Sequence, residues 1–260
     1  MKNKSKSQFK YVIISGGLGF LGIYISELLI MSNFKVIILD KQKPKSEKQI
    51  KIVKKCFLYK KIDITKEKKI SNFFLQLKNQ KINVEYLINN AAIDSIPKNT
   101  KKNTRLPDIK DWNNELSVSL NGTYLLIKYF GEEMAKNKKG KIINIGSDLS
   151  VLAPNQDLYK DFNNFYKPPT YSVIKHGMLG MTKYFASLYS DSNVHVNMLS
   201  PGPIFNKHKK KFVNRLKKFI PLKRMANKKD LEDAILFLLS SNNNYFTGQN
   251  LIVDGGRTII

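Results

Sequence analysis

Short, continuous apolar runs alternate along the chain with longer stretches whose apolar residues recur at helical spacing. YVIIS (11–15) is a β-branched run ending at a group of glycines, after which 20–31 turn helical. VIILD (36–40) is a second buried strand with an acid at its end, and CFLYKKID (56–63) is a third strand candidate. IKIVKK before it reads as a poor helix or a loop. Ile70, Phe73, Phe74 and Leu77 give 66–80 a helical face, and VEYLINNAA (84–92) is a strand running into a loop. A long helix at 108–136, the strand GKIINIGS (140–147) and a second long helix at 170–190 follow. VHVNMLSPG (194–202), a helical stretch at 228–240 and the strand NLIVDGG (250–256) complete the pattern.

Such strands, apolar throughout and separated by helices, predict an α/β fold with a parallel sheet covered on both faces. Right-handed crossovers wind its halves outward. The expected architecture is therefore a doubly wound, three-layer α/β/α sheet of the Rossmann type. It forms a single domain over 11–260 behind a basic tail at 1–10, with no linker or internal repeat.

Composition removes several function classes. No run approaches the roughly 20 apolar residues that span a bilayer. The segment MKNKSKSQFK is basic but lacks the apolar centre of a signal peptide, so a cytoplasmic location is expected. The single cysteine, Cys56, rules out an internal disulfide and a multi-cysteine metal site. His176, His195 and His208 show no ligand spacing, and no metal is expected. The net charge of +25 invites a nucleic-acid or membrane reading. Nearly all of it is lysine, spread along the chain with only Arg105, Arg215, Arg224 and Arg257 as arginines. Abundant lysine, asparagine and isoleucine are what an A- and T-rich genome gives, so neither a specific nucleic acid nor a membrane is expected as partner.

The glycine stretch SGGLGFLG (15–22) carries the first chemistry. Gly17, Gly19 and Gly22 fit G-x-G-x-x-G; Ser15, Gly16, Gly19 and Gly22 fit T/S-G-x-x-G-x-x-G; a third register fails at Phe20. Between a strand and a helix, such a turn brings unpaired backbone N–H groups, beginning near Phe20 and Leu21, to a pyrophosphate. Asp40 ends the second strand 18 residues after Gly22, where a carboxylate accepts from both adenosine-ribose hydroxyls. Its charge repels a 2′-phosphate, which favours NAD; Lys41 and Lys43 leave NADP as the alternative.

SGGLGFLG, Asp40, KIDIT with Asp63, NNAA (89–92), GS (146–147), YSVIK (171–175), VNMLSPGPI (196–204) and FTGQNLIVDGG (246–256) occur in this order. Together they resemble the short-chain dehydrogenase/reductase family over essentially the whole chain. The resemblance implies that Gly16, Gly19 and Gly22 are the working glycines and that Asp63 and Ile64 lie against the adenine. Asn89, Asn90, Ala91 and Ala92 would form the strand end under the cofactor, and Pro201, Gly202 and Ile204 would hold the nicotinamide amide. The ending VDGG resembles the short branch of the family.

Tyr171 and Lys175, at i and i+4, project from one helix face. A phenol is a poor base near neutrality, and a neighbouring ammonium favours its ionised form. Tyr171 is thus the expected acid/base, Lys175 its cation and the holder of the nicotinamide ribose, and Ser147 a hydrogen-bond donor to the reacting oxygen. Tyr124 and Lys128 fit the same spacing but read as a core tyrosine and a solvated lysine.

The chain departs from the family pattern twice. Aligned on Trp112, Leu120 and Gly122, the family's relay asparagine is replaced by Ser119, and Asn121 should face elsewhere. The segment APNQDLYKDFNNFYKPPT (153–170) makes an unusually long connection from Ser147 to Tyr171. Pro168 and Pro169 should block helix just before Tyr171.

NNAAIDSIP, that long connection and the PLKRMA…TGQNLIVDGG ending resemble a narrower group of oxidoreductases of bacterial surface-sugar and flagellin-glycan biosynthesis, including nonulosonic acids such as legionaminic acid. A sugar or sugar-phosphate alcohol/ketone pair is the implied substrate. Residues 203–220 would form a substrate lid, in which Lys209, Lys210, Lys211 and Arg215 could meet a phosphate or instead form a solvated basic face. The helices 108–136 and 170–190 would build a homodimer or homotetramer. A nucleotide-binding regulator or scaffold without turnover is the alternative function.

Overall fold

In β1 (Lys10–Ser15), Val12 and Ile14 join one buried cluster and Ile13 another, so both faces of the strand are covered. β2 (Phe34–Asp40) divides likewise, Val36 and Ile38 on one side, Ile37 and Leu39 on the other. Two covered faces leave no polar side, which is why these strands read as unbroken apolar runs. The structure, a computed structural model, describes residues 9–93, 106–160 and 165–260. Residues 1–8 of the basic tail, 94–97 of NNAAIDSIP and 161–164 of the long connection lie outside the described residues.

With β3 (Leu58–Lys61), β4 (Val84–Asn89), β5 (Gly140–Ile145), β6 (Val194–Pro201) and β7 (Asn250–Val253), the described strands make a seven-stranded parallel sheet. Its order is β3-β2-β1-β4-β5-β6-β7. One face packs α1 (Phe20–Met31) through Ile25 and Leu29, α2 (Glu47–Lys55) through Ile52, and a C-terminal helix (Glu232–Leu239) through Ile235 and Leu238. The other packs α3 (Glu67–Asn79) through Ile70, Phe73 and Leu77, together with the two long helices.

The first long helix, α4, runs through Ile109–Leu116, a π-turn at Ser117–Asn121, Gly122–Leu126, a second π-turn at Ile127–Gly131, and Glu132–Lys136. The second, α5, spans Pro169–Leu188. Pro168 caps it and Pro169 is its first residue, so the prolines start the helix of Tyr171 where blocking was expected. Proline fits there because the first helical N–H has no partner in any case. The short α6 (Lys210–Leu216) follows β6, and Glu232–Leu239 is α7.

IKIVKK is part of α2, the helix of its two readings rather than the loop. Ser46 accepts from the Gln49 N–H (3.3 Å) while the Gln49 side chain accepts from the Ser46 N–H (3.0 Å), a reciprocal cap. Glu47 in the first turn and Lys54 and Lys55 in the last suit the helix dipole. Cys56 caps this helix, so β3 begins only at Leu58.

Burial pushes the Cys56 thiol up to about 11. Near pH 7.5 the folded protein should therefore resist alkylation by iodoacetamide and take one label after unfolding in urea, as mass spectrometry would count. Rapid labelling of the native protein would contradict that environment. Among the described residues no helix is long and apolar enough to cross a membrane.

Candidate active site

Strand order reverses direction between β1 and β4, and the carboxyl ends of these two strands open onto a cleft of about 1120 Å³. Gly16, at its floor, has φ +64°, and a Cβ there would stand 2.8 Å from the Ala91 Cα. A Cβ on Gly22 would come within 2.1 Å of the Gly16 carbonyl oxygen, so the missing side chain lets α1 approach the loop. Gly16, Gly19, Phe20 and Leu21 line the cleft, while Gly22 lies behind them. The Ser15 hydroxyl accepts the N–H groups of Asn90 and Ala91 (both 3.1 Å). The Asn90 amide returns bonds to the carbonyls of Ser15 (3.1 Å) and Gly16 (3.0 Å). Asn90, Ala91 and Ala92 are thereby fixed along the cleft beside the glycines.

Asp40 also lines it, with one carboxylate oxygen on the Leu18 N–H (3.0 Å) and the other on the Gln42 N–H (2.9 Å). Gln49 donates to the Leu18 carbonyl (2.9 Å), tying α2 to the glycine loop. Asp63 and Ile64 line the same end. Burial pushes the Asp63 carboxyl up, but hydrogen bonds from Thr65 and the Lys41 ammonium at 3.2 Å outweigh it and hold the group below the usual carboxylate range. Lys41 is thus engaged with Asp63. A backbone cradle that any Cβ would fill, at a helix N-terminus beside a strand-end carboxylate, fits a dinucleotide.

Ser147, Tyr171, Lys175, Pro201, Gly202 and Ile204 line the other end. Lys175 is buried; its ammonium donates to the Ile145 carbonyl (2.9 Å) and lies 5.6 Å from the Tyr171 ring centre. The Ser147 hydroxyl donates to Asp148 (2.8 Å) and accepts the Leu149 N–H (3.2 Å). The second Asp148 oxygen is held by Arg257, and all three side chains are buried. Asp148 and Arg257 line the cleft as well, and sequence reasoning missed both. Beneath the site, Asn89 donates to Asn144 (2.8 Å) and Asn144 to Thr182 (2.9 Å), a buried amide chain that joins β4, β5 and α5.

Ser119 is not brought to the cleft. It is fully buried in the first π-turn of α4, and its hydroxyl has no hydrogen-bond partner among the described residues. A buried, unsatisfied hydroxyl costs about 1–3 kcal/mol. Ser119→Ala should leave turnover unchanged and hold or raise Tm in calorimetry; a marked loss of kcat would restore Ser119 to the relay. The pair Tyr124 and Lys128 also lies elsewhere: the tyrosine is half-exposed rather than core, and Lys128 pairs with Glu67 at 2.7 Å.

The described parts of the long connection, 153–160 and 165–170, are tied to each other. Gln156–Tyr159 forms a 3₁₀ turn, and the Gln156 amide donates to the Lys167 carbonyl (3.0 Å) and accepts its N–H (2.9 Å). Leu158 is buried with Phe212 and Leu216 of α6 and with Ile220 and Met225. Connection and expected lid therefore share one small core and border the cleft together. Of the basic residues of the expected lid, Lys207 and Lys209 line it beside His208; Lys210, Lys211 and Arg215 do not, and Arg215 reaches the Asp157 carbonyl (3.5 Å).

A family profile described as enoyl-(acyl carrier protein) reductase matches residues 21–258. The chain is 32% identical over 258 residues to a 3-oxoacyl-(acyl-carrier-protein) reductase, FabG, of Buchnera aphidicola, covering 96% of this chain and 98% of that protein. It is 27% identical over 255 residues to an NAD-dependent glycerol dehydrogenase of Listeria innocua, covering 96% and 94%. Among solved structures, a short chain dehydrogenase from Leptospira borgpetersenii with bound NAD+ is similar at a TM-score of 0.84 and 33% identity, covering 96% and 93%.

Proposed function

The chain belongs to the short-chain dehydrogenase/reductase family, and from that premise we propose that it is an NAD(P)-dependent oxidoreductase interconverting a secondary alcohol and a ketone on a polyhydroxylated, anionic substrate. The observation that carries this reading is one continuous cleft with the glycine cradle at one end and Ser147, Tyr171 and Lys175 at the other. When bound, the nicotinamide supplies the hydride donor or acceptor. Tyr171 passes a proton to or from the substrate oxygen. The buried Lys175 ammonium stabilises the phenolate and holds the nicotinamide ribose. Ser147 hydrogen-bonds the reacting oxygen: its proton, directed at Asp148, leaves a lone pair for an alcohol, and rotation of the hydroxyl presents the proton to a ketone.

NAD is the preferred cofactor in this reading, because Asp40 stands at the ribose end and Lys41 is paired with Asp63. Asp40→Ser should weaken NADH binding about tenfold in a fluorescence titration, the worth of a charge-assisted hydrogen bond, and narrow the gap to NADPH. Unchanged affinities for both would remove Asp40 from the cofactor site.

Lys167, Lys207, His208 and Lys209 line the substrate end, a setting for a carboxylate or phosphate. Likeness to a glycerol dehydrogenase supports a polyol-like substrate, and the motif resemblance supports surface-sugar biosynthesis in the cytoplasm. Exposed Tyr124, Val173, Tyr184 and Leu188 on α4 and α5 support a homodimer or homotetramer through those helices.

A panel of sugar acids, sugar phosphates and nucleotide sugars, with an acyl thioester as contrast, tests the proposal by NADH and NADPH absorbance. Turnover of a sugar acid or phosphate is the expected result. Cofactor binding with no turnover would make the protein a nucleotide-binding regulator or scaffold, and thioester turnover alone would replace the carbohydrate class.

A further inference from the structure

The connection between Ser147 and Tyr171 brings a second ammonium to the tyrosine. Lys167 Nζ lies 3.9 Å from the centre of the Tyr171 ring, nearer than Lys175 Nζ at 5.6 Å. Its placement is held from both sides. Gln156 grips the Lys167 backbone at N–H and carbonyl, and Pro168 and Pro169 lead directly into α5. Gln156 in turn belongs to the 3₁₀ turn whose Leu158 is buried against α6.

The negative face of an aromatic ring attracts a cation, and a phenolate, whose charge spreads into the ring, attracts it more strongly than a phenol does. An ammonium over the ring face also leaves the phenolic oxygen open to a substrate. The other titratable groups of the cleft and its border come from several elements. Lys175 lies on α5, and Glu115 on α4 accepts from the Thr170 hydroxyl beside it. Asp148 follows β5 with its charge met by Arg257, and His208 and Lys209 lie on the lid segment. Asp148, the acid nearest Ser147 in the chain, is thus offset, while Lys175 is partly occupied by the Ile145 carbonyl.

We infer that Lys167 is a positioning residue for the reaction, acting through Tyr171 by stabilising its phenolate from the ring face. The inference rests on the reading of Tyr171 as the proton-transfer group.

The test is direct titration of Tyr171 in the full-length protein labelled with ¹³Cζ-tyrosine. Loss of one resonance in Tyr171→Phe identifies the signal. Lys167→Met, with Lys167→Gln as a second neutral variant, should raise the Tyr171 midpoint by about one pH unit. Lys167→Arg should restore most of it, since charge and not shape is at work. A midpoint unmoved in both neutral variants overturns the inference, and so does an arginine that fails to restore it. The titration needs no substrate. A protein that turns nothing over but shows the shift would refute the oxidoreductase reading and leave Lys167 coupled to Tyr171; an active enzyme without the shift would do the reverse.

Discussion

Tyr171→Phe should lower turnover by about a thousandfold while leaving NADH affinity within about twofold. The substitution removes one oxygen and keeps the ring, so Lys167 still has its aromatic face and α5 its first turn. Lys175 keeps its bond to the Ile145 carbonyl, and with it the geometry of the cofactor end. What disappears is the only group in the proposed mechanism that exchanges a proton with the substrate oxygen. A steady-state assay beside a fluorescence titration separates these effects. Loss of NADH binding in parallel with turnover would mean that the phenol is structural, and retention of turnover would move the proton transfer elsewhere.

Arg257→Met should destabilise the fold by about 3–5 kcal/mol, read as a lower urea midpoint at unchanged slope. Both partners of this pair are buried, Arg257 at 8% and Asp148 at 3% relative exposure, so removing the guanidinium strands a carboxylate out of water. Asp148→Asn combined with Arg257→Met should recover part of the loss, because no charge is then left alone. Arg257→Met should also depress kcat without weakening NADH, since Asp148 holds the Ser147 hydroxyl. Equal stability of Arg257→Met and wild type would show the pair to be solvated.

The strands and the glycine end of the cleft were legible because each depends on a short local pattern, whereas the other end was legible through the family resemblance. YVIIS and VIILD carry two covered faces in their own composition, and SGGLGFLG with Asp40 encodes a turn and a strand end. α2 is marked most clearly by its cap: Ser46 and Gln49 have the S-x-x-Q spacing, whereas its apolar face is short, with Ile52 as its buried residue.

Asp148 and Arg257 were not legible, since their union spans 109 positions and neither charge looks unusual alone. Ser119 shows a different limit. The motif aligned on Trp112, Leu120 and Gly122 finds the position but not where its side chain ends, and Ser119 lies fully buried in the π-turn Ser117–Asn121. Lys167 was hidden for a third reason: its position depends on Gln156, eleven residues away within a segment of no regular period.

Leu158, Phe212, Leu216, Ile220 and Met225 are buried apart from the two clusters that sandwich the sheet. A core so small is expected to open at a lower free energy than the whole domain and to behave as a separate cooperative unit. On warming, the cleft should lose this wall before the sheet unfolds, so heat inactivation should precede loss of far-ultraviolet circular dichroism. A substrate that bridges the wall and the sheet adds its binding energy to this unit first, and so protects activity at temperatures where it leaves the global melting point almost unmoved.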